Sequence, residues 1–183
     1  MSTVMWDLDG VATLWVEKFY PHLCEAEDLT PTEWDTWHHY RTHGITDADF
    51  VKHLQQYAEI GGFGEQTPVP GFAEAVTQLH AAGHTQHVVT DRPEIAQADT
   101  LWWIDTYAPE IATVQFSRDK TIFKEQGQPT YYAIDDRVEN VEALRKAGVF
   151  AYLMTWPWNV DSNLPRVHSL AEFVQKVNRQ ANS

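Results

Sequence analysis

Short apolar runs bounded by polar or turn-forming residues recur along the chain. They occupy residues 3–8, "TQHVVT" at 85–90, "ATVQF" at 112–116, "YYAID" at 131–135 and "FAYLM" at 150–154. Runs of this length predict buried strands. The segments between them carry the other period. In "GFAEAVTQLHAAG" (71–83), Phe72, Val76 and Leu79 fall at helical spacing and Gly83 gives a stop. Residues 93–106 predict a second helix, with Pro93 tolerated in its first turn. Residues 138–148, ending in glycine, and 170–178 predict two more. Strand and helix therefore alternate from residue 71 onward, the pattern of an α/β protein whose parallel sheet is covered on both faces.

Residues 12–70 break that alternation. Thr30, Pro31 and Glu33 read as a capping box that opens a helix over 30–44, and Trp34 and Trp37 lie three apart on it. Thr46 opens another helix that stops at Gly61-Gly62. The glycine- and proline-rich stretch 61–71 reads as a hinge. The expected division is a core of residues 1–14 and 68–183 and a helical cap of residues 15–67.

Composition narrows the function classes. Hydrophobic residues make up 43% of the 183, a globular proportion. Cys24 is the sole cysteine, so no internal disulfide forms and a cysteine metal site is not expected. No apolar run has the length of a membrane span and no signal-peptide pattern opens the sequence, so a cytoplasmic setting is expected. The net charge of −13, without a basic stripe, argues against a polynucleotide partner but leaves room for a small anionic one captured by local donors. His38, His39 and His43 cluster, the last two at i, i+4. Without an HExxH pattern or an evident third ligand they read as a polar helix face.

The chemistry gathers where the predicted strands end. Ligands of open parallel sheets bind outside the carboxyl ends of the strands. There the chain places Asp7-Leu8-Asp9-Gly10, Thr90-Asp91-Arg92, Lys120 within "SRDKT", and Asp135-Asp136-Arg137. Asp-Gly is a common turn former. Carboxylates two apart on a strand, however, leave it on the same side and repel unless a cation or proton lies between them.

"DLDGV", "VVTD", Lys120 and "IDD", in this order, resemble the four motifs of the haloacid dehalogenase-like hydrolase superfamily, over residues 3–154. The resemblance implies a Rossmann-like three-layer core, a helical cap after the first strand, Mg2+ as cofactor and phosphomonoester hydrolysis. It casts Asp7 as the nucleophile that forms an aspartyl-phosphate and Asp9 as acid and then base. Thr90 and Lys120 would hold and neutralise the phosphate, with Asp91 beside them. The metal would take the Asp7 carboxylate, the Asp9 carbonyl and a carboxylate of "IDD". Asp136 aligns with the ligand position and Asp135 then supports it, although the sequence leaves the two exchangeable. Lys124 is the rival of Lys120.

"SRDKT" before "IDD", "PWN" at 157–159 and a cap left through "PVPG" resemble the 5'(3')-deoxyribonucleotidases. That likeness implies a nucleoside monophosphate substrate, with Trp15 at the position of a base-stacking aromatic; a tryptophan packed at the root of the cap is the other reading. Leu14 and Trp156 depart from the family pattern. Other readings of the same motifs are a small-molecule phosphatase, a polynucleotide 3'-phosphatase and a silent module that binds Mg2+ and a nucleotide. A homo-oligomer is compatible with the sequence.

Overall fold

A computed structural model describes residues 1–124 and 130–181. Six parallel strands form one sheet: β1 (Thr3–Trp6), β2 (Thr85–Thr90), β3 (Thr113–Phe116), β4 (Tyr131–Asp135), β5 (Phe150–Met154) and β6 (Arg166–Val167), in the order β3-β2-β1-β4-β5-β6. β6 has two residues, too few for its sequence to carry a period. β1 is central, pairing Thr3 to Thr85 on one side and to Tyr131 on the other.

Alternation along β1 feeds two cores. Val4 and Trp6 join the cluster built with α3 (Phe72–Ala81), α4 (Gln97–Tyr107) and α6 (Leu170–Ala181). Met5 joins the cluster under α5 (Val138–Lys146). Trp6 meets Phe72 and Phe173 edge to face, and its Nε1 donates to Gln86 Oε1 at 3.0 Å, so a fully buried indole keeps its polar atom satisfied. The three layers match the expected architecture. Because β1 is flanked by β2 and β4, the strand order reverses there, and a crevice opens at the carboxyl end of β1.

The predicted first strand is shorter than its apolar run. It ends at Trp6, and the Leu8 carbonyl accepts from the backbone N–H groups of Val11, Ala12 and Thr13. Gly10, at φ +86°, makes that turn.

The segment after this turn departs most from expectation. Residues 15–26 form a helix, α1 (Trp15–Ala26), where none was predicted, and Pro21 lies inside it. Residues 30–44 form no α-helix. The chain runs irregularly to a 3₁₀ turn at His39–His43, and Thr30 caps nothing. Two contacts override the capping signal. The Thr32 backbone N–H donates to the Tyr20 hydroxyl at 3.0 Å, and Trp34 is buried against Trp15, Tyr20 and His39. Trp34 and Trp37 therefore do not share a helix face. α2 (Asp47–Glu59) starts as expected, with Thr46 Oγ1 accepting from Asp49 N at 3.2 Å. Most of this segment's buried side chains, Trp15, Phe19, Tyr20, Leu23 and Trp34 among them, form a cluster apart from the two cores of the sheet. The chain leaves and returns through neighbouring bonds, Leu14 N to Thr67 O at 2.9 Å and Val69 N to Ala12 O at 2.7 Å.

Candidate active site

Asp7 sits one residue beyond β1, its backbone N–H still donating to Ile134 O at 3.0 Å. Its carboxylate meets Lys120, whose Nζ donates to Asp7 Oδ1 at 2.5 Å and to Val89 O at 2.6 Å. Lys120 opens a 3₁₀ turn after β3 that Asp119 caps by accepting from Thr121 N at 2.9 Å. Burial alone would lower the Lys120 pKa; the carboxylates of Asp7 and Asp135 outweigh it, and the ammonium is held charged. Lys124 points elsewhere, donating to Ala147 O at 2.5 Å.

Asp135 ends β4 and Asp136 follows it, both fully buried. The carboxylate oxygens of Asp7, Asp135 and Asp136 approach within 4.8 Å of one another. Burial raises all three pKa values; repulsion from Asp7 adds to it at Asp135 and Asp136, whereas Lys120 opposes it at Asp7, and Asp135 is pushed up to about 7. Asp135 is already engaged, accepting from Arg137 N at 2.9 Å and from Asn140 Nδ2 at 3.1 and 3.0 Å. On Asp136, Oδ2 accepts from Trp158 Nε1 at 3.2 Å, while Oδ1 is buried with no hydrogen-bond partner. An unpartnered buried carboxylate oxygen facing two other carboxylates fits a small hard cation such as Mg2+, which takes oxygen ligands. Gly10 makes room for Asp136, since a Cβ there would stand 2.2 Å from Asp136 Oδ2.

The Asp9 carboxylate is not part of this trio. Arg92, its guanidinium 1% exposed, grips it from Nε and Nη2 and also reaches Thr100 Oγ1 and Gln66 Oε1. Since β1 stops at Trp6, Asp7 and Asp9 lie on a turn and not on strand alternation. Thr90 is buried, its Oγ1 accepting from Arg92 N at 3.3 Å. Asp91 is exposed and pairs with Arg118 at 3.2 Å.

A cavity of about 500 Å³ opens over these groups. Asp7, Asp9, Thr90, Asp91 and Lys120 line it together with Trp15, Trp37, Tyr40, Phe50 and Phe63. Trp15 thus faces the cavity and also packs on Phe19 and Trp34. Arg137 lies over the Trp37 ring at 4.8 Å, and Arg118 and Asn140 reach the same space. Sequence reasoning did not single out Arg92, Arg137 or Asn140 as site residues. Their signal was adjacency, since each follows a carboxylate strand end in "TDRP" or "DDRVEN".

The fold and the acidic strand ends define a hydrolase of the haloacid dehalogenase-like superfamily. Solved structures share the fold: Protein Tyrosine Kinase A from Mycobacterium tuberculosis (TM-score 0.74, 14% identity, 96% of this chain and 97% of that one) and a predicted phosphatase from Clostridium acetobutylicum (0.73, 14%, 97% and 98%). So does the magnesium-bound HAD-hydrolase YfnB from Bacillus subtilis (0.64, 15%, 97% and 98%). No curated protein sequence matches. Within the superfamily, the chain belongs to the family described as 5' nucleotidase, deoxy (pyrimidine), cytosolic type C, whose profile matches residues 1–181. It is a phosphoric monoester hydrolase. Among the described residues no helix is long and apolar enough to cross a membrane.

Proposed function

We propose that the protein is a Mg2+-dependent, cytoplasmic nucleotidase that hydrolyses (deoxy)nucleoside monophosphates. The observation that carries this reading is one cavity lined both by the Asp7–Lys120 pair, beside the buried carboxylates, and by aromatic rings. A phosphate and a base need these two kinds of surface. The residues 15–67 act as the cap that supplies the aromatic wall.

Asp7 attacks phosphorus, forming the Asp7 Oδ–P bond as the bond to the leaving oxygen breaks. Asp9 delivers a proton to that oxygen. Asp9 then takes a proton from water, whose oxygen displaces Asp7 from phosphorus and restores the free enzyme. Lys120 and the Thr90 hydroxyl hold the phosphoryl oxygens while charge develops on them. Asp7, Asp136 and the Asp9 carbonyl would hold Mg2+, with Asp135 and Trp158 orienting the ligands. The bound ion supplies neutralisation between a phosphate dianion and the carboxylates. Trp15 stacks on the base.

A phosphate-release screen with Mg2+ tests the reading. Its arms are 5'- and 3'-monophosphates of nucleosides and deoxynucleosides, sugar phosphates, p-nitrophenyl phosphate and a 3'-phosphorylated oligonucleotide. The highest kcat/KM on a nucleoside monophosphate is expected. A higher value on a sugar phosphate or on the oligonucleotide would replace the nucleotidase reading with that activity.

A further inference from the structure

The "PWN" stretch forms a 3₁₀ turn, Pro157–Asn159, that lies against the acidic strand ends. Asn159 anchors it. Its Nδ2 donates to Asp136 O at 2.9 Å and to Met154 O at 2.8 Å, and its Oδ1 accepts from Trp156 N at 3.1 Å. Carbonyls only accept and a backbone N–H only donates, so a single amide orientation serves all three contacts. Trp156 and Trp158 stack, with ring centroids 5.1 Å apart and planes 9° from parallel. Trp156 Nε1 donates to Gly10 O, and Trp158 Nε1 donates to Asp136 Oδ2 at 3.2 Å. Trp37 of the intervening segment meets Trp158, centroids 6.4 Å apart. The Trp158 indole is therefore held on Asp136 by its neighbours in the turn and by Trp37.

The two oxygens of Asp136 are left unequal. Oδ2 accepts from the indole and lies so close to Gly10 that a Cβ there would collide with it; Oδ1 is buried with no partner. The donor is neutral. An ammonium in its place would offset the charge that attracts a cation, whereas an indole N–H engages one oxygen and leaves that charge in force. Asp7 is divided in the same way, its Oδ1 held by Lys120. Both oxygens of Asp135 accept from Asn140. No carboxylate of the trio keeps two free oxygens.

We propose that Trp158 is a specificity-determining residue for the metal: by engaging Oδ2 it limits Asp136 to ligation through one oxygen, which favours Mg2+ over Ca2+. This rests on the reading of Asp136 as a Mg2+ ligand. Ca2+ takes about six to eight oxygens and often both oxygens of one carboxylate. Mg2+ takes about six at shorter distance and keeps several waters among them. One oxygen per carboxylate satisfies Mg2+ and falls short for Ca2+. Trp158 acts through Asp136 and is a positioning residue.

The test is calorimetric titration of the metal-stripped full chain with Mg2+ and, separately, with Ca2+, in the absence of substrate. The ratio of the two dissociation constants is the readout. Trp158→Phe keeps a ring against Trp156 and removes the N–H. It should reduce the preference for Mg2+ by about tenfold or more. Placing 3-benzothienylalanine at position 158, with sulfur where the N–H stands, should do the same and retains the bicyclic packing if the Phe variant does not fold. Trp102→Phe, at an exposed position on α4, should leave the ratio unchanged. An unchanged ratio at position 158, including equal weakening of both ions, would overturn the selection role and leave Asp136 a ligand. A wild-type chain that binds no Mg2+ would overturn the metal reading itself, and the proposal with it.

Discussion

Arg92 holds both oxygens of Asp9, Nε to Oδ2 at 2.9 Å and Nη2 to Oδ1 at 2.7 Å. A planar guanidinium matches a carboxylate in this way and an ammonium does not. Oδ1 also accepts from Thr13 Oγ1 at 3.1 Å, so Oδ2, which keeps a lone pair beyond its arginine contact, is the oxygen able to carry a proton. Arg92 thus presents Asp9 and also restrains it.

Arg92→Ala removes the cation from a buried pair and leaves Gln66 and Thr100 without it. Since Asp9 retains 23% exposure, the expected loss is near the low end of the buried-pair range, about 3 kcal/mol by denaturant unfolding. Arg92→Lys keeps the charge without the bidentate grip, so its stability loss should be smaller while kcat still falls by about tenfold, roughly 1.4 kcal/mol. Wild-type kcat in Arg92→Lys would show that the two-pronged hold is irrelevant to turnover.

Asp7→Asn keeps the shape of the side chain and removes the proposed nucleophile. Turnover should fall more than about a thousandfold, roughly 4 kcal/mol or more. Circular dichroism should be unchanged. Substantial residual activity in a homogeneous preparation would remove Asp7 from the covalent step.

EDTA should stop turnover and Mg2+ should restore it; Ca2+, with longer bonds and more ligands, should not. Stability should follow. The folded pKa of Asp135, about 7, lies above its ordinary value of 3.8. Its stabilising contribution is therefore fully present below pH 3.8 and lost as the pH rises through about 7. The Tm gain on adding Mg2+ should accordingly be larger at pH 8 than at pH 5, because protons no longer compete for the carboxylates. Equal gains at both pH values, by differential scanning fluorimetry, would place the ion elsewhere.

Trp15 stands in two surroundings at once, the cavity and the cap cluster. Trp15→Ala should lower stability by about 3 kcal/mol, as truncation of a packed tryptophan does. It should also raise KM for a deoxynucleoside monophosphate by about tenfold, from ~1–3 kcal/mol of lost stacking. Saturating p-nitrophenyl phosphate has no nucleobase, so its kcat should change little. Equal losses on both substrates would leave Trp15 a packing residue only.

All of the sheet but β6 was legible because its strands are short apolar runs bounded by polar or turn-forming residues. Trp6 and Asp7 show both signals in adjacent positions. The acidic end of the sheet was legible for a related reason, since Thr90 and Asp135 end their strands and Asp7 follows β1 directly. The cap was not. Its helix α1 contains Pro21, whose missing N–H argues against a helix, yet Phe19, Tyr20 and Leu23 bury enough surface to hold it. Residues 30–44 carry a good capping box and form no α-helix because Trp34 and Thr32 are bound to α1. Trp37, Tyr40 and Phe50 reach the cavity through tertiary packing, which no local period records. Arg92 stood beside its strand end in the sequence, but its grip on Asp9 depends on a turn whose path only the fold defines.

The bonds Leu14 N to Thr67 O and Val69 N to Ala12 O bring the two ends of the intervening chain side by side before any of it folds over the crevice. A loop with fixed ends grows at little entropic expense, about 0.6 kcal/mol for each doubling of length. Exposed parts of the segment beyond this clasp can therefore lengthen or change while its two ends stay side by side, but Gln66, whose Oε1 accepts from Arg92 Nη2, belongs with the pocket and not with the exchangeable part. The clasp thus marks where the polypeptide tolerates added length, between Leu14 and Gln66, without parting the strands beneath.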